Sequence, residues 1–154
     1  MTFSKQETTY SCGCASIRNC LKSMGEIHSE RKIRELTGAT KINGTSYKQI
    51  KSALTIFGHN SKKFTSFNDL TFKKRITREL KKGNKIILLT DHEEHWISLI
   101  DYENRKVTVI DSQRNKRLKH FLSLKDLAVW ALNFNKQNGE KYFFGIVIYP
   151  TINN

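Results

Sequence analysis

Proline is nearly absent from this sequence, which has one proline among 154 residues. No segment is rich in glycine or serine either, so collagen-like and low-complexity classes are excluded. The longest apolar run, Phe143 to Tyr149, is far shorter than the roughly 20 residues of a membrane-spanning helix. The first residues are polar where a secretory signal has its apolar segment. The sequence therefore predicts a cytoplasmic protein without a membrane-spanning segment.

Cysteine is also scarce, since all three cysteines lie between Cys12 and Cys20. An odd number of thiols on one short segment does not make a disulfide framework. Stability must then come from a packed core, for which 154 residues with a hydrophobic content of 38% suffice. We predict a single domain over residues 1–154.

Acidic residues are few: the chain has 14 Asp and Glu but 27 Lys and Arg. Its formal net charge is therefore +13. Such a charge favours nucleic acid, anionic membrane surfaces or acidic proteins as partners. The basic residues are spread along nearly the whole chain, and no nucleic-acid-binding motif frames them. We therefore favour a solvated basic surface over nucleic acid binding, and an acidic peptide or protein substrate is compatible with the charge.

Helical periodicity dominates the first half of the chain. Apolar residues recur at helical spacing after Cys12, and Gly25 follows as a stop signal, which predicts a helix from Gly13 to Met24. Similar signals, with Ser29 and Ser46 as caps, predict further helices at residues 30–37, 47–57 and 72–80.

The second half changes to runs of Ile, Val, Leu and Thr at strand length. Strands are predicted at residues 85–90, 96–101, 106–111 and 142–149, with a helix at residues 124–132. Helices first and a mostly antiparallel sheet afterwards indicate an α+β architecture.

Cys12 stands where the first helix should begin. Unpaired backbone N–H groups and the helix dipole favour an anion at that position, so a thiolate would be stabilised there. With a base nearby, a thiol in this place can act as a nucleophile. A buried structural thiol is the commoner role of cysteine in general, but the helix-start position favours catalysis.

His95 and Asp111 become informative together. The polar link of residues 102–105 reads as a tight hairpin turn between two strands. A turn centred on Glu103-Asn104 places His95 within about a residue of Asp111 or Ser112 across the ladder. A carboxylate there would hold one ring nitrogen protonated and leave the other to take the thiol proton, as in a catalytic triad.

Gln6 precedes Cys12 by a short loop. Its side-chain amide could donate to the oxygen of an attacked carbonyl, beside the backbone N–H of Cys12, and so complete an oxyanion hole. An exposed polar residue is the alternative interpretation of Gln6.

Three segments resemble a known family, the bacteriocin-processing peptidases that cut after double-glycine leaders, which are papain-like cysteine peptidases. Residues 6–15 look like the family's signature of a glutamine, a spacer and Cys-Gly, residues 95–100 are similar to its histidine strand, and residues 109–111 to its aspartate strand. The similarity covers about residues 6–150, and the motifs occur in the family's order.

The resemblance implies a papain-like fold in which Cys12 and His95 meet across a cleft between the helices and the sheet. It also implies the oxyanion role of Gln6 and cleavage after small residues such as Gly-Gly, without a cofactor. This chain has Ser11 and Ser112 where the family usually has Asp before the cysteine and Pro after the aspartate, so the resemblance does not fix its substrate preference. Many family members are fused to a membrane transporter, whereas here we expect no export function in the same polypeptide.

Three other functions fit parts of the sequence. Zinc could bind Cys12, Cys14 or Cys20 together with His92 and His95, although these spacings match no common zinc motif. A basic nucleic-acid binder on an inactive peptidase scaffold would account for the charge. An acyltransferase would use the same cysteine, histidine and aspartate but pass the acyl group to an amine instead of water.

Overall fold

Seven strands form one antiparallel sheet between two layers of helices in residues 2–151, which the computed structural model describes. The helices are α1 Cys12–Ser23, α2 Glu30–Thr37, α3 Tyr47–Ile56, α4 Asp69–Lys81 and α5 Leu124–Ala131. The strands are β1 Asn60–Ser66, β2 Lys85–Thr90, β3 His95–Glu103, β4 Lys106–Ile110, β5 Lys119–Leu122, β6 Asn133–Phe134 and β7 Lys141–Tyr149. The spatial order is β1-β7-β2-β3-β4-β5, and β6 pairs with β7.

Both faces of the sheet are covered by apolar clusters. Successive residues of β2 point to opposite faces, so Ile86 and Leu88 join the cluster that contains Phe72 of α4 and Leu127 of α5. Ile87 joins the other cluster, which is built from α1, α2 and α3. Burial on both sides is the reason that the central strands read as continuous hydrophobic runs.

Side-chain caps begin four of the five helices that the structure describes. The N-caps are Ser29, Ser46, Asn68 and Ser123. The first two confirm the sequence prediction, whereas the Asn68 cap starts α4 three residues earlier than predicted. None of the described helices is long and apolar enough to cross a membrane.

Three strands were not predicted from the sequence: β1 and β5 at the edges of the sheet, and the two-residue strand β6. β1 has the sequence Asn-Ser-Lys-Lys-Phe-Thr-Ser, and β5 is only four residues long. Charged and short strands are typical of sheet edges, where they discourage pairing with other chains. Edge strands therefore lack the hydrophobic pattern by which the central strands were recognised.

Candidate active site

The start of α1 carries Cys12 and has no side-chain cap. Ser11 occupies the N-cap position, but its side chain makes no capping hydrogen bond. The Ser11 hydroxyl instead accepts the N–H of Thr8 at 3.2 Å and lies 3.3 Å from its carbonyl oxygen. The first-turn N–H groups of α1 thus remain available to an anion. Cys12 is partly exposed, whereas Cys14 and Cys20 are buried.

Two serine hydroxyls fasten α1 to β3 one turn beyond Cys12. Ser16 Oγ donates to the carbonyl oxygen of Trp96 at 3.1 Å, and Ser98 Oγ donates to that of Ser16 at 3.0 Å. Cys12 and Ser16 share a helix face because they are four residues apart. Since Trp96 directly follows His95, this pair of bonds holds α1, which begins at Cys12, against the strand that begins at His95.

Gly13 allows a close approach of the loop that leads into α3. A Cβ atom on Gly13 would lie 2.8 Å from Thr45 Cβ, which is closer than real side chains come. The carbonyl oxygen of Thr45 accepts the indole N–H of Trp96 at 3.0 Å. Glycine is therefore required after Cys12 for a steric reason. A larger side chain at position 13 would displace the loop that holds Trp96 beside His95.

His95 and Asp111 form a buried hydrogen-bonded pair. His95 Nε2 lies 2.7 Å from Asp111 Oδ1, and the two residues are 7% and 3% exposed. The same carboxylate oxygen accepts the backbone N–H of Gln113 at 3.0 Å. A carboxylate can only accept, so Nε2 carries the proton and Nδ1 is the nitrogen left to exchange a proton with a thiol.

The hairpin between β3 and β4 is centred one residue later than predicted. Its left-handed turn residues are Asn104, with φ of 52°, and Arg105, with φ of 62°. Positive φ at both central positions is the pattern of a type I′ turn, whose twist matches that of the strands. A β-bulge also shifts the register between Leu99 and Asp101.

These shifts change how His95 meets Asp111. Ser98 faces Ile110 in the ladder, so the alternation of side chains puts His95 and Asp111 on the same face but in staggered positions. The predicted adjacency is observed as a diagonal contact at the end of the ladder. Long side chains reach each other at this separation.

The charged state of the pair follows from its surroundings. Burial alone would lower the pKa of His95, but hydrogen bonds and charges from Asp111 and Cys12 raise it to about 9. Burial alone would raise the pKa of Asp111, but hydrogen bonds from His95 and the Gln113 N–H, with the imidazolium charge, lower it. At neutral pH the pair is an imidazolium and a carboxylate.

Cys12 and His95 line the same cavity, which has a volume of about 420 Å³. Gln6 lines it as well, and the other charged residues that line it are the acidic Asp91 and Glu94 and the basic Arg114. The excess of basic residues in the whole chain therefore does not extend into this cavity. A thiol, an imidazole and an amide on one cavity suit acyl transfer.

Gln6 is 6% exposed and is fixed to the segment that follows Asp111. Its backbone N–H donates to the carbonyl oxygen of Ser112 at 2.8 Å. Its side-chain Nε2 donates to the carbonyl oxygen of Thr8 at 2.8 Å, and Oε1 accepts from Ser112 Oγ at 3.0 Å. The alternative interpretation of Gln6 as an exposed residue is wrong.

Two charged residues that the sequence analysis did not single out hold the segment between Gln6 and Cys12. Arg114 donates through Nε to the carbonyl oxygen of Gln6 at 2.9 Å and through Nη2 to that of Glu7. Glu30 is fully buried, accepts the N–H of Glu7 at 2.7 Å, and has a pKa raised by burial. In the sequence both look like ordinary charged surface residues, so no local signal marks them.

Apart from Cys12 and His95, the cysteines and histidines of the zinc hypothesis lie in different places. Cys14 Sγ is 3.3 Å from Thr37 Oγ1, and Cys20 Sγ is 3.8 Å from a backbone carbonyl oxygen of β2. His92 is exposed in the loop between β2 and β3. Within residues 2–151 no group of three or more His, Cys, Asp or Glu side chains could hold a metal ion. The geometry therefore gives the zinc hypothesis no support.

Comparison with known proteins identifies the family of this chain. The model of the peptidase C39 family matches residues 1–127. The chain belongs to the peptidase C39 family. No curated protein matches the sequence. The family match supports a cysteine peptidase function.

Solved structures show the same fold as this C39 chain. A double glycine motif protease from an AMS/PCAT transporter, in complex with the leader peptide, has a TM-score of 0.70 and 14% identity, covering 97% of this chain and 91% of its own. The peptidase domain of Streptococcus ComA has a TM-score of 0.67 and 18% identity, with coverages of 96% and 97%. UfSP from C. elegans has a TM-score of 0.62 and 11% identity, with coverages of 97% and 32%.

These findings confirm two predictions from the sequence. The resemblance to double-glycine peptidases is confirmed by the family match. The papain-like α+β fold with a mostly antiparallel sheet is confirmed by the structural relatives. At these sequence identities the solved structures establish the fold alone.

Proposed function

We propose that this C39 chain hydrolyses peptide bonds with Cys12 as nucleophile, His95 as general base and acid, and Asp111 as the residue that orients the imidazole. The main support is the buried 2.7 Å hydrogen bond between His95 and Asp111, on a cavity that Cys12 also lines. Gln6, on the same cavity, is the proposed side-chain donor of the oxyanion hole.

In the proposed reaction His95 begins with a proton on each ring nitrogen, the one on Nδ1 having come from the Cys12 thiol, and the resulting thiolate attacks the carbonyl carbon of the scissile bond. The carbonyl oxygen becomes an oxyanion, which accepts hydrogen bonds from the Gln6 amide and the Cys12 backbone N–H. His95 then gives its proton to the leaving amine, and an acyl-enzyme remains. Water, deprotonated by His95, hydrolyses the thioester, releases Cys12 as a thiolate and leaves the proton on His95.

The proposed substrate is a peptide with small residues, such as Gly-Gly, before the scissile bond. Its support is the family and the leader peptide bound to the protease from the AMS/PCAT transporter. An acidic segment of the substrate outside the cavity would be attracted by the net charge of +13. We also propose that the chain forms a single domain, because both apolar clusters pack on one sheet. The proposed location is the cytoplasm.

Cys12 should react with iodoacetamide near neutral pH at least a hundredfold faster than Cys14 or Cys20. Only Cys12 combines partial exposure, a helix start and a neighbouring imidazole, whereas burial raises the pKa of Cys14 and raises that of Cys20 to about 12. Peptide mapping by mass spectrometry after timed labelling measures the three rates. Equal labelling of the three thiols would contradict the catalytic assignment.

The same labelling provides the test of hydrolysis. Wild-type protein and protein alkylated at Cys12 are incubated with a peptide library that contains Gly-Gly sequences, and the products are read by mass. We expect cleavage by the unlabelled protein and none by the alkylated one. Products joined to an added amine instead of water would favour the acyltransferase, and cleavage by the alkylated protein would contradict the proposal.

The rate of cleavage should fall as the pH rises above about 9, where His95 loses its proton. A neutral imidazole cannot protonate the leaving amine. The variant Asp111→Asn lacks the negative charge that raises the pKa of His95, so this pKa should fall in the variant. Because Asp111 Oδ1 accepts both hydrogen bonds, the Asn carbonyl oxygen can keep them. We expect cleavage to slow by roughly tenfold and the alkaline limb to move to lower pH, with a smaller effect on stability.

Profiles of kcat/KM against pH for the two proteins, with thermal unfolding of each, make this measurement. An alkaline limb that stays at the same pH in Asp111→Asn would remove the electrostatic role of Asp111. Unchanged turnover at every pH would remove Asp111 from the proposed site.

A further inference from the structure

We infer that Ser112 is a positioning residue for Gln6: its hydroxyl fixes the Gln6 amide so that one N–H of Nε2 is held for the oxyanion in the Cys12 cavity. This inference rests on the proposed function. The contact that carries it is the 3.0 Å hydrogen bond from Ser112 Oγ to Gln6 Oε1. Ser112 is 1% exposed and Gln6 is 6% exposed, so water does not compete for this bond.

The donors and acceptors around the amide fix its orientation. Nε2 lies 2.8 Å from the carbonyl oxygen of Thr8, which can only accept, so the nitrogen must be on that side. Oε1 therefore faces Ser112, whose hydroxyl must be the donor. The amide nitrogen has two hydrogens, and one is used by Thr8. The second hydrogen is left for an acceptor in the cavity that Gln6 and Cys12 line.

The backbone makes this arrangement rigid. The N–H of Gln6 donates to the carbonyl oxygen of Ser112 at 2.8 Å, and the carbonyl oxygen of Gln6 accepts from Arg114 at 2.9 Å. Gln6 is thus held by main chain and side chain to the segment immediately after Asp111. The proposed oxyanion donor and the residue that orients the base share one anchoring segment, so their relative positions are fixed together.

Loss of the Ser112 hydroxyl should affect the oxyanion and leave the thiol unchanged. Without this hydroxyl, Gln6 Oε1 is a buried acceptor that has no donor, and the amide can turn away from the cavity. Removal of one oxyanion donor slows catalysis by about a hundredfold to a thousandfold. Loss of its orientation alone should be smaller, about tenfold in kcat, with KM little changed.

The experiment is a double-mutant cycle on Ser112→Ala, Gln6→Ala and the double variant. The probe is a peptide aldehyde ending in Gly-glycinal, which needs no turnover. Cys12 Sγ forms a C–S bond to the aldehyde carbon, the C=O π bond breaks, and its electron pair makes the oxygen an oxyanion while the thiol proton stays on His95 Nδ1. Adduct affinity, kcat and KM on a cleaved peptide, and the Cys12 alkylation rate are measured for each protein.

We expect Ser112→Ala to weaken the aldehyde adduct and lower kcat by about tenfold, with an unchanged alkylation rate, because alkylation forms no oxyanion. In the Gln6→Ala background the same substitution should have no further effect. Ser112→Thr, which keeps the hydroxyl, should restore the wild-type values.

Three results would overturn the inference. One is a Ser112→Ala protein with wild-type adduct affinity and kcat, and another is an effect that persists in the Gln6→Ala background. The third is a Gln6→Ala protein with normal adduct affinity, which leaves nothing for Ser112 to position. Failure of the proposed function is distinct, since the wild-type protein would then form no adduct and cleave no peptide.

Discussion

Cys12→Ala should abolish peptide cleavage and leave a folded protein. The variant lacks the sulfur that attacks the carbonyl carbon, and loss of a nucleophile lowers kcat by roughly a millionfold in a catalytic triad. Cys12 is only partly buried, and the core of α1 is formed by other residues such as Ile17 and Leu21. We therefore expect stability to change by less than about 1 kcal/mol. Product analysis by mass spectrometry and thermal unfolding measure the two effects.

Cys14→Ala is the matched control, two residues along the same helix. Its thiol is buried against the hydroxyls of Thr37 and Thr45, so the substitution should lower stability by about 1 kcal/mol and leave cleavage intact. Cleavage by a purified Cys12→Ala protein would contradict the proposed nucleophile. So would the loss of cleavage in a Cys14→Ala protein that still unfolds cooperatively.

The parts of the site that the sequence predicted depend on short-range patterns. The start of α1 at Cys12 follows from helical periodicity, and the meeting of His95 with Asp111 follows from one tight hairpin. In both cases the residues are placed by structure within about twenty positions of the chain. The β-bulge between Leu99 and Asp101 was not predicted, because it depends on how β3 packs rather than on turn chemistry.

The unpredicted parts depend on contacts between distant segments. Gln6 and Ser112 are 106 positions apart, and Ser16 and Trp96 are 80 apart. No periodicity or turn signal connects such pairs, since hydrogen bonds of single polar side chains leave no pattern along the sequence. The burial of Gln6 was missed for this reason, as were the roles of Arg114 and Glu30.

The net charge was a poor guide to the site for a related reason. A charge of +13 is the sum over the whole chain, whereas the cavity is lined by Asp91 and Glu94, from the loop before His95, and by Arg114. Long-range attraction of a substrate and its fit in the cavity are separate steps, governed by different residues. Composition can predict the first step but not the second.

His95→Ala should reduce cleavage by at least about a thousandfold and slow the reaction of Cys12 with iodoacetamide. The imidazole is the proposed acceptor of the thiol proton and donor to the leaving amine, and each transfer contributes about 10²- to 10⁴-fold. Cys12 contributes to raising the pKa of His95, so the two groups interact, and the thiolate loses a neighbouring positive charge in the variant. Timed labelling and cleavage assays measure both losses on one preparation.

Stability must be separated from chemistry in this variant, because Asp111 is buried and loses a hydrogen-bond donor. Such a loss costs about 1–3 kcal/mol. His95→Gln can still donate to Asp111 but cannot act as a base, so it should be more stable than His95→Ala and equally inactive. His92→Ala, in the exposed loop three residues earlier, should cleave and label normally. If Cys12 in folded His95→Ala labels at the wild-type rate, the thiol and the imidazole do not work as a pair, and His95 is not the base.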